Sequence, residues 1–490
     1  MKFVSTRDKS AREYNSYEVI KNGIAPDGGL FFPKENVCFS KDDLASLKDK
    51  SYAERAAAVI SKYLTDFAPE ALLYSCKAAY SKEKFSKTPA PLKEAGGKTY
   101  LELYHGPTCA FKDVALQLMP RLLSLSIEKS GVTGDALILV ATSGDTGKAA
   151  LEGFADVPRT KIMVFYPEGG VSDIQKKQML TQKGKNVSVC GVKGNFDDCQ
   201  TGVKNIFGSD NITAQLKNTG YFFSSANSIN FGRLVPQVVY YISACIDMKL
   251  DDGKSCDITV PTGNFGNILA AYMAKKAGAP INRLICASNK NKVLNDFFTT
   301  GIYDRRREFY LTSSPSMDIL VSSNLERLLW LVCGPVKTAL YMKNLKENGI
   351  FEVDADVLKI LREDFSAFYT DEKNCNLTIR KNYEEFGYLM DTHTAVGAYA
   401  ADMYKKETAS ENPMIVVSTA SPFKFSPAVC RALGLSCGEG FEAMDRLSEY
   451  TRLEIPDSLR GLRTEKDRFY KTVNPESMYA EALEFAISAK

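Results

Sequence analysis

The chain has 490 residues, 44% of them hydrophobic and 25% charged, with a formal net charge of +3. This is the profile of a soluble globular protein of about two to three domains, and so small a charge gives no bulk electrostatic argument for nucleic acid or an anionic membrane surface. Two histidines, and twelve cysteines without a C-x-x-C pair, disfavour a zinc site, any other metal centre and a Ser-His-Asp triad. No apolar run is long enough to span a bilayer and residues 1–10 lack a signal-peptide core, which predicts a cytoplasmic protein with reduced cysteines.

In chain order, residues 1–95 join a turn-rich opening, Ala25-Pro26-Asp27-Gly28-Gly29, to helix-like stretches at 52–63 and 70–81, an N-terminal mainly helical layer. From Leu101 the pattern changes to short apolar runs followed by loops and helices: 136–141, 161–166, 187–192, 257–260, 284–287 and 414–418. Continuous apolar strands alternating with helices imply an α/β fold, parallel sheets covered by helices on both faces. Ligands of such sheets bind beyond the carboxyl ends of the strands. Residues 304–308, with three arginines, read as a solvated loop, and the charged stretch 343–383 as surface helices with connecting loops. The tail from Phe441 is polar, with an amphipathic finish at 479–489 suited to docking on the body or on a partner.

Four segments carry chemistry. H-G-P-T-C-A-F-K-D, 105–113, sets Lys112 between a turn-forming stretch and an apolar helix-like run. A lysine amine becomes a strong nucleophile when desolvated, so a catalytic lysine needs partial burial and a carbonyl partner held by other groups. T-S-G-D-T-G, 142–147, follows an apolar strand and opens a helix, where free N–H groups, the macrodipole and the Ser143 and Thr146 hydroxyls suit a carboxylate or phosphate. An ordinary N-cap by Asp145 or Thr146 accounts for it equally well. T-G-N-F-G-N, 262–267, lets backbone N–H groups converge on one anion; it matches neither G-x-G-x-x-G nor G-x-x-x-x-G-K-[ST], so a single phosphate monoester fits better than a dinucleotide or triphosphate. A close-packed glycine turn is the alternative. S-T-A-S-P-F-K-F, 418–425, offers short hydroxyls to a ring nitrogen, although alone it is ordinary turn chemistry. A reactive lysine, two anion cradles and a neutral hydroxyl site are the set that pyridoxal 5'-phosphate needs: a Schiff-base amine, a phosphate cradle, a pyridine partner and a hold on an amino-acid carboxylate.

Read together with A-P-D-G-G-L-F-F-P from Ala25, S-A-N-S-I-N-F-G-R from Ser225 and D-T-H-T-A-V-G from Asp391, these segments make the chain resemble the threonine synthase family, within the tryptophan-synthase-β-like, fold type II pyridoxal-phosphate enzymes. The resemblance covers most of the chain. It implies a smaller, mobile α/β domain at 96–240 holding Lys112 and the carboxylate loop, and a larger one at 241–490 holding the phosphate loop. Lys112 would form the Schiff base and then shuttle protons. Gly263, Asn264, Phe265, Gly266 and Asn267 would cradle the cofactor phosphate, and Thr419 would meet the pyridine nitrogen. Ser143, Gly144 and Thr146 would hold the substrate carboxylate. Asp145 would lie near the ring hydroxyl, where many relatives with other substrates carry asparagine and where bacterial and fungal threonine synthases carry aspartate. Asn227, Ser228 and Arg233 would take a substrate phosphate, with Lys424 assisting, since a guanidinium beside amide and hydroxyl donors suits a phosphate dianion. A helix-surface Arg233 and a turn-forming Asn227 are the competing reading. The implied reaction converts O-phospho-L-homoserine and water to L-threonine and phosphate in a monomer or homodimer, without nucleic-acid or membrane partners. Two rivals stay open: a phospho-lyase releasing 2-oxobutyrate, and a catalytically silent binding protein.

Overall fold

The protein is described by a computed structural model covering residues 1–142, 144–250 and 253–488. A six-stranded sheet runs Phe365–Tyr369, Ile281–Ser288, Cys256–Pro261, Met414–Ser418, Lys98–Glu102, Leu92–Ala95, parallel except for the last strand, which pairs antiparallel. A five-stranded, wholly parallel sheet runs Thr472–Val473, Val187–Val192, Thr160–Pro167, Asp135–Ala141, Tyr221–Ser224. Thr160–Pro167 and Cys256–Pro261 are buried along their whole length, as apolar strands covered by helices on both faces must be. The helix Phe231–Asp247 is buried almost all round and packs on Gly266–Lys276 and Tyr52–Tyr63, which ties the N-terminal layer to the core.

The sheets do not follow the division at 96–240 and 241–490. Lys98–Glu102 belongs to the larger sheet, because the Gly96-Gly97 turn folds it onto Leu92–Ala95 and its other edge pairs with Met414–Ser418. In the opposite sense the tail returns to the smaller sheet: Arg468 N–H donates to Leu180 O at 2.8 Å, Lys177 pairs with Asp467 at 2.8 Å, and Thr472–Val473 adds an edge strand. The amphipathic finish forms the helix Met478–Ile487 and docks on the body, burying Met478, Ala482 and Ala486 against Cys199, Val203 and Ile206. The stretch 343–383 holds an element that its charge conceals. Between the helices Ala355–Asp364 and Glu372–Phe386 lies Phe365–Tyr369, an edge strand of the larger sheet. Among the described residues no helix is long and apolar enough to cross a membrane.

Candidate active site

Two parallel neighbours, Lys98–Glu102 and Met414–Ser418, finish in register with Glu102 opposite Ser418. Their following loops stay zipped together: Leu103 N–H donates to Ser418 O at 2.9 Å, Phe111 N–H to Thr419 O at 2.8 Å, and Ser421 N–H to Cys109 O at 3.1 Å. Lys112, Thr419 and Lys424 are therefore delivered to one place by the backbone. The lysine loop is closed from within by Asp113, whose carboxylate accepts from Thr108 N–H at 2.8 Å and Thr108 Oγ1 at 2.7 Å. Burial pushes Asp113 up to about 6 despite those donors.

Lys112 opens the helix Lys112–Leu116 with a side chain 11% exposed, and its Nζ donates to Ser316 Oγ at 3.2 Å. Burial pushes its amine down to about 8; Asp145 pulls the other way, and Arg233 and Lys424 add to the push. A large neutral fraction near pH 8 is what a lysine nucleophile requires.

Asp145 begins the helix Asp145–Phe154, on the end of the strand Asp135–Ala141. Its Oδ2 lies 3.9 Å from Lys112 Nζ; its Oδ1 is 2.6 Å from Lys424 Nζ and accepts from Gln175 Nε2 at 3.0 Å. Burial would raise this carboxyl, but the charges of Lys424 and Lys112, with hydrogen bonds from Lys424 and Gln175, outweigh it and hold the group well below the usual carboxylate range. Lys424 also donates to Thr108 O at 2.9 Å. Its amine is thus committed to Asp145 and the lysine loop. Gly144 has φ +142°, and a Cβ there would lie 2.4 Å from the Gln175 side chain, so only glycine lets Gln175 reach the carboxylate. Thr142 Oγ1 accepts from Gly144 N–H at 3.0 Å and Gly147 N–H at 2.9 Å, which sets the loop's curvature. Thr146 is the half-buried second residue of the helix. Ser143 lies outside the described residues.

The glycine loop after Cys256–Pro261 turns at Phe265, whose φ of 61° is left-handed, into the helix Gly266–Lys276. Its carbonyls are tied back: Gly263 O accepts from Ser322 Oγ at 2.7 Å, and Asn264 O accepts from Asn324 N–H at 3.1 Å and Nδ2 at 3.0 Å. The first-turn N–H groups of Gly266 and Asn267 are left without intrahelical acceptors. Asn267 Oδ1 is held by Tyr241 OH at 2.6 Å, while its buried Nδ2 has no partner among the described residues. A Cβ on Gly263 would come within 2.7 Å of Ser316 O. An orphaned donor beside free N–H groups, in a turn with no room for a side chain, fits one phosphate.

Arg233 sits in the first turn of the helix Phe231–Asp247, capped by Asn230, and donates through Nη1 to Ala226 O at 3.1 Å. It is buried, and burial pushes it down to about 10, with no carboxylate among the described residues pulling it back. A cation so placed is costly until an anion joins it. Ser228 is half-buried in the preceding loop, and Asn227 is exposed, its N–H donating to Ser225 Oγ at 3.2 Å. Ser316, Gln175, Ser322 and Asn324 are the site residues that the motifs miss. They come from the helix Asp173–Leu180 and from 305–324, and none stands at a strand end. Thr419 has its carbonyl in the zipped ladder and its N–H donating to Thr394 Oγ1 at 3.3 Å.

The donor set fits pyridoxal phosphate: the Gly263–Asn267 turn could take its phosphate, Lys112 could meet its carbonyl, and Asp145 and Thr419 could face its ring. Comparison with known proteins agrees. Residues 85–420 match the family model "Pyridoxal-phosphate dependent enzyme", residues 2–80 "Threonine synthase N terminus" and residues 394–482 "Threonine synthase, C-terminal". Threonine synthase-like 1 of Homo sapiens is 42% identical over 88% of this chain, which spans 60% of that relative's length. Threonine synthase of Saccharomyces cerevisiae is 35% identical over 95% of this chain and 93% of its own. The PLP-bound threonine synthase of Brucella melitensis superposes with a TM-score of 0.89 at 35% identity, over 99% of each chain. The chain belongs to the threonine synthase family of pyridoxal-phosphate dependent enzymes.

Proposed function

We propose that the protein converts O-phospho-L-homoserine and water to L-threonine and inorganic phosphate. The observation that carries this reading is Arg233, a buried guanidinium with no carboxylate partner among the described residues, whose charge is felt at Lys112. The cofactor cradle at Gly263–Asn267 is a separate anion site. A pocket with a reactive amine, one neutral cradle and one uncompensated cation suits an amino acid bearing its own phosphate.

When bound, pyridoxal phosphate supplies the carbonyl that a lysine or substrate amine engages and the ring that draws electrons from the substrate's α-carbon. The Gly263–Asn267 turn, through its N–H groups and Asn267 Nδ2, would hold its phosphate. Asp145, kept ionised by Lys424, would face the cofactor ring, and the loop at Gly144 and Thr146 would receive the substrate carboxylate at the helix N-terminus. Lys112, neutral in a large fraction near pH 8, removes the α-proton; loss of a β-proton then supplies the electron pair that lets the γ-carbon to oxygen bond break, and protons return at the γ-carbon and, after water has added at the β-carbon, at the α-carbon. Arg233 holds the phosphate before and after that cleavage, so that the released dianion stays beside the β-carbon, where water adds its hydroxyl.

Purified protein with cofactor and O-phospho-L-homoserine should release phosphate and threonine in equal amounts, resolved by chromatography. Phosphate accompanied by 2-oxobutyrate would replace this reading with a phospho-lyase, and no phosphate release would leave a binding protein.

A further inference from the structure

The hydroxyl that meets Lys112 is offered from 305–324, a stretch with little regular structure beyond the turn Pro315–Met317. A side chain on such a stretch can hold an amine only if the backbone behind it is fixed. The helix Thr392–Thr408 does the fixing with its first two residues. Thr392 Oγ1 donates to Ser313 O at 2.7 Å, and Ser316 N–H donates to His393 Nε2 at 3.1 Å. An imidazole nitrogen that accepts a backbone N–H carries the lone pair, so the ring proton is on Nδ1, 2.7 Å from Asp391 Oδ2.

Asp391 is fully buried and caps the same helix, accepting from His393 N–H at 2.9 Å and Thr394 N–H at 3.1 Å. That cap needs only the backbone, so the imidazole has another task. On the far side of Ser316, its carbonyl oxygen lies 2.7 Å from where a Gly263 Cβ would stand, so the Ser316 backbone runs between His393 and the phosphate cradle. Asp391 also accepts a hydrogen bond from the Thr394 hydroxyl, which leaves Thr394 Oγ1 to accept from Thr419 N–H at 3.3 Å and from Ser418 Oγ at 3.1 Å. One buried carboxylate thereby orients the group behind Lys112 and the strand-end hydroxyls opposite it.

The geometry points to His393 as a positioning residue, oriented by Asp391, that fixes Ser316 between the Lys112 amine and the Gly263 cradle. It does not touch the reacting atoms and acts through Ser316. This rests on the reading of Lys112 as the cofactor's lysine.

The test uses the full chain with His393→Leu, His393→Gln, Ser316→Ala, the double variant His393→Leu/Ser316→Ala, and Lys112→Ala. Cofactor affinity is measured by titrating each apoprotein with pyridoxal phosphate, and kcat and KM with O-phospho-L-homoserine. His393→Leu should weaken cofactor affinity and lower kcat by about tenfold each, the scale of one buried hydrogen bond, with KM little moved. His393→Gln, whose amide oxygen can accept the Ser316 N–H, should recover most of both. Ser316→Ala should lower kcat similarly, and the double variant should be little worse than the poorer single one. Wild-type behaviour of His393→Leu, equal damage in the Gln and Leu variants, or losses that multiply in the double variant would each overturn the assignment. If His393→Leu does not fold, Ser316→Ala decides alone, and wild-type affinity and kcat there refute it. Failure of the Lys112 reading looks different: Lys112→Ala would keep the bound-cofactor absorption band.

Discussion

Two buried lysines reach the same carboxylate from neighbouring strand-end loops, Lys112 from 103–111 and Lys424 from 419–425, and their surroundings differ in kind. Lys424 has no exposed side-chain area, stands 2.6 Å from Asp145 and spends a further hydrogen on Thr108 O at 2.9 Å. Lys112 stands 3.9 Å from Asp145, keeps some exposure, and makes one hydrogen bond to a hydroxyl. The first amine is a structural counter-ion. The second is held loosely, as an amine must be that leaves its partners and reacts, the role we propose for it. In a pocket with several buried charges, saturation of the hydrogen bonds separates structure from chemistry better than burial does.

That contrast can be broken most directly through stability. Lys424→Met leaves Asp145 buried beside a weaker partner and should cost about 3–5 kcal/mol in denaturant unfolding of the apoprotein, the usual penalty for breaking a buried pair. Lys112→Met removes one hydrogen bond and a poorly solvated amine, and should stay within about 1 kcal/mol of wild type. Equal losses would mean that both amines serve the ion pair. A smaller effect, on rate, sharpens the same distinction. With the Lys112 amine pushed down to about 8, its neutral form grows as pH rises, so cofactor capture by apoprotein should accelerate close to tenfold per unit below about 8 and level off above it. A stopped-flow rate that is flat between pH 6 and about 8 would contradict the depressed amine.

The strands that carry the site were legible because they are continuous apolar runs followed by glycine or hydroxyl loops: 136–141, 257–260 and 414–418 fall within Asp135–Ala141, Cys256–Pro261 and Met414–Ser418. Phe365–Tyr369 was not, since an edge strand between two charged helices has no long apolar run. The place of Lys98–Glu102 in the larger sheet was hidden for a related reason, because strand pairing between residues more than three hundred positions apart leaves no local mark. At the site, Lys112 and the Gly263–Asn267 turn announce themselves through turn chemistry beside helix starts. Lys424 was read as a cation assisting at the substrate phosphate, and its contact with Asp145 had no signal, since that carboxylate arrives from the other sheet. Ser316 and Gln175 had no signal at all: each acts through a single side-chain contact set by tertiary packing. His393 lay inside a motif that pointed to the family, yet its role depends on a loop 77 residues away.

Borohydride reduction of the protein reconstituted with pyridoxal phosphate, followed by peptide mapping, tests the distinction between the two lysines at its root. The cofactor's added mass should appear on the peptide containing Lys112 and be absent from the one containing Lys424. Label on Lys424, or undiminished labelling of the Lys112→Met protein, would contradict the account.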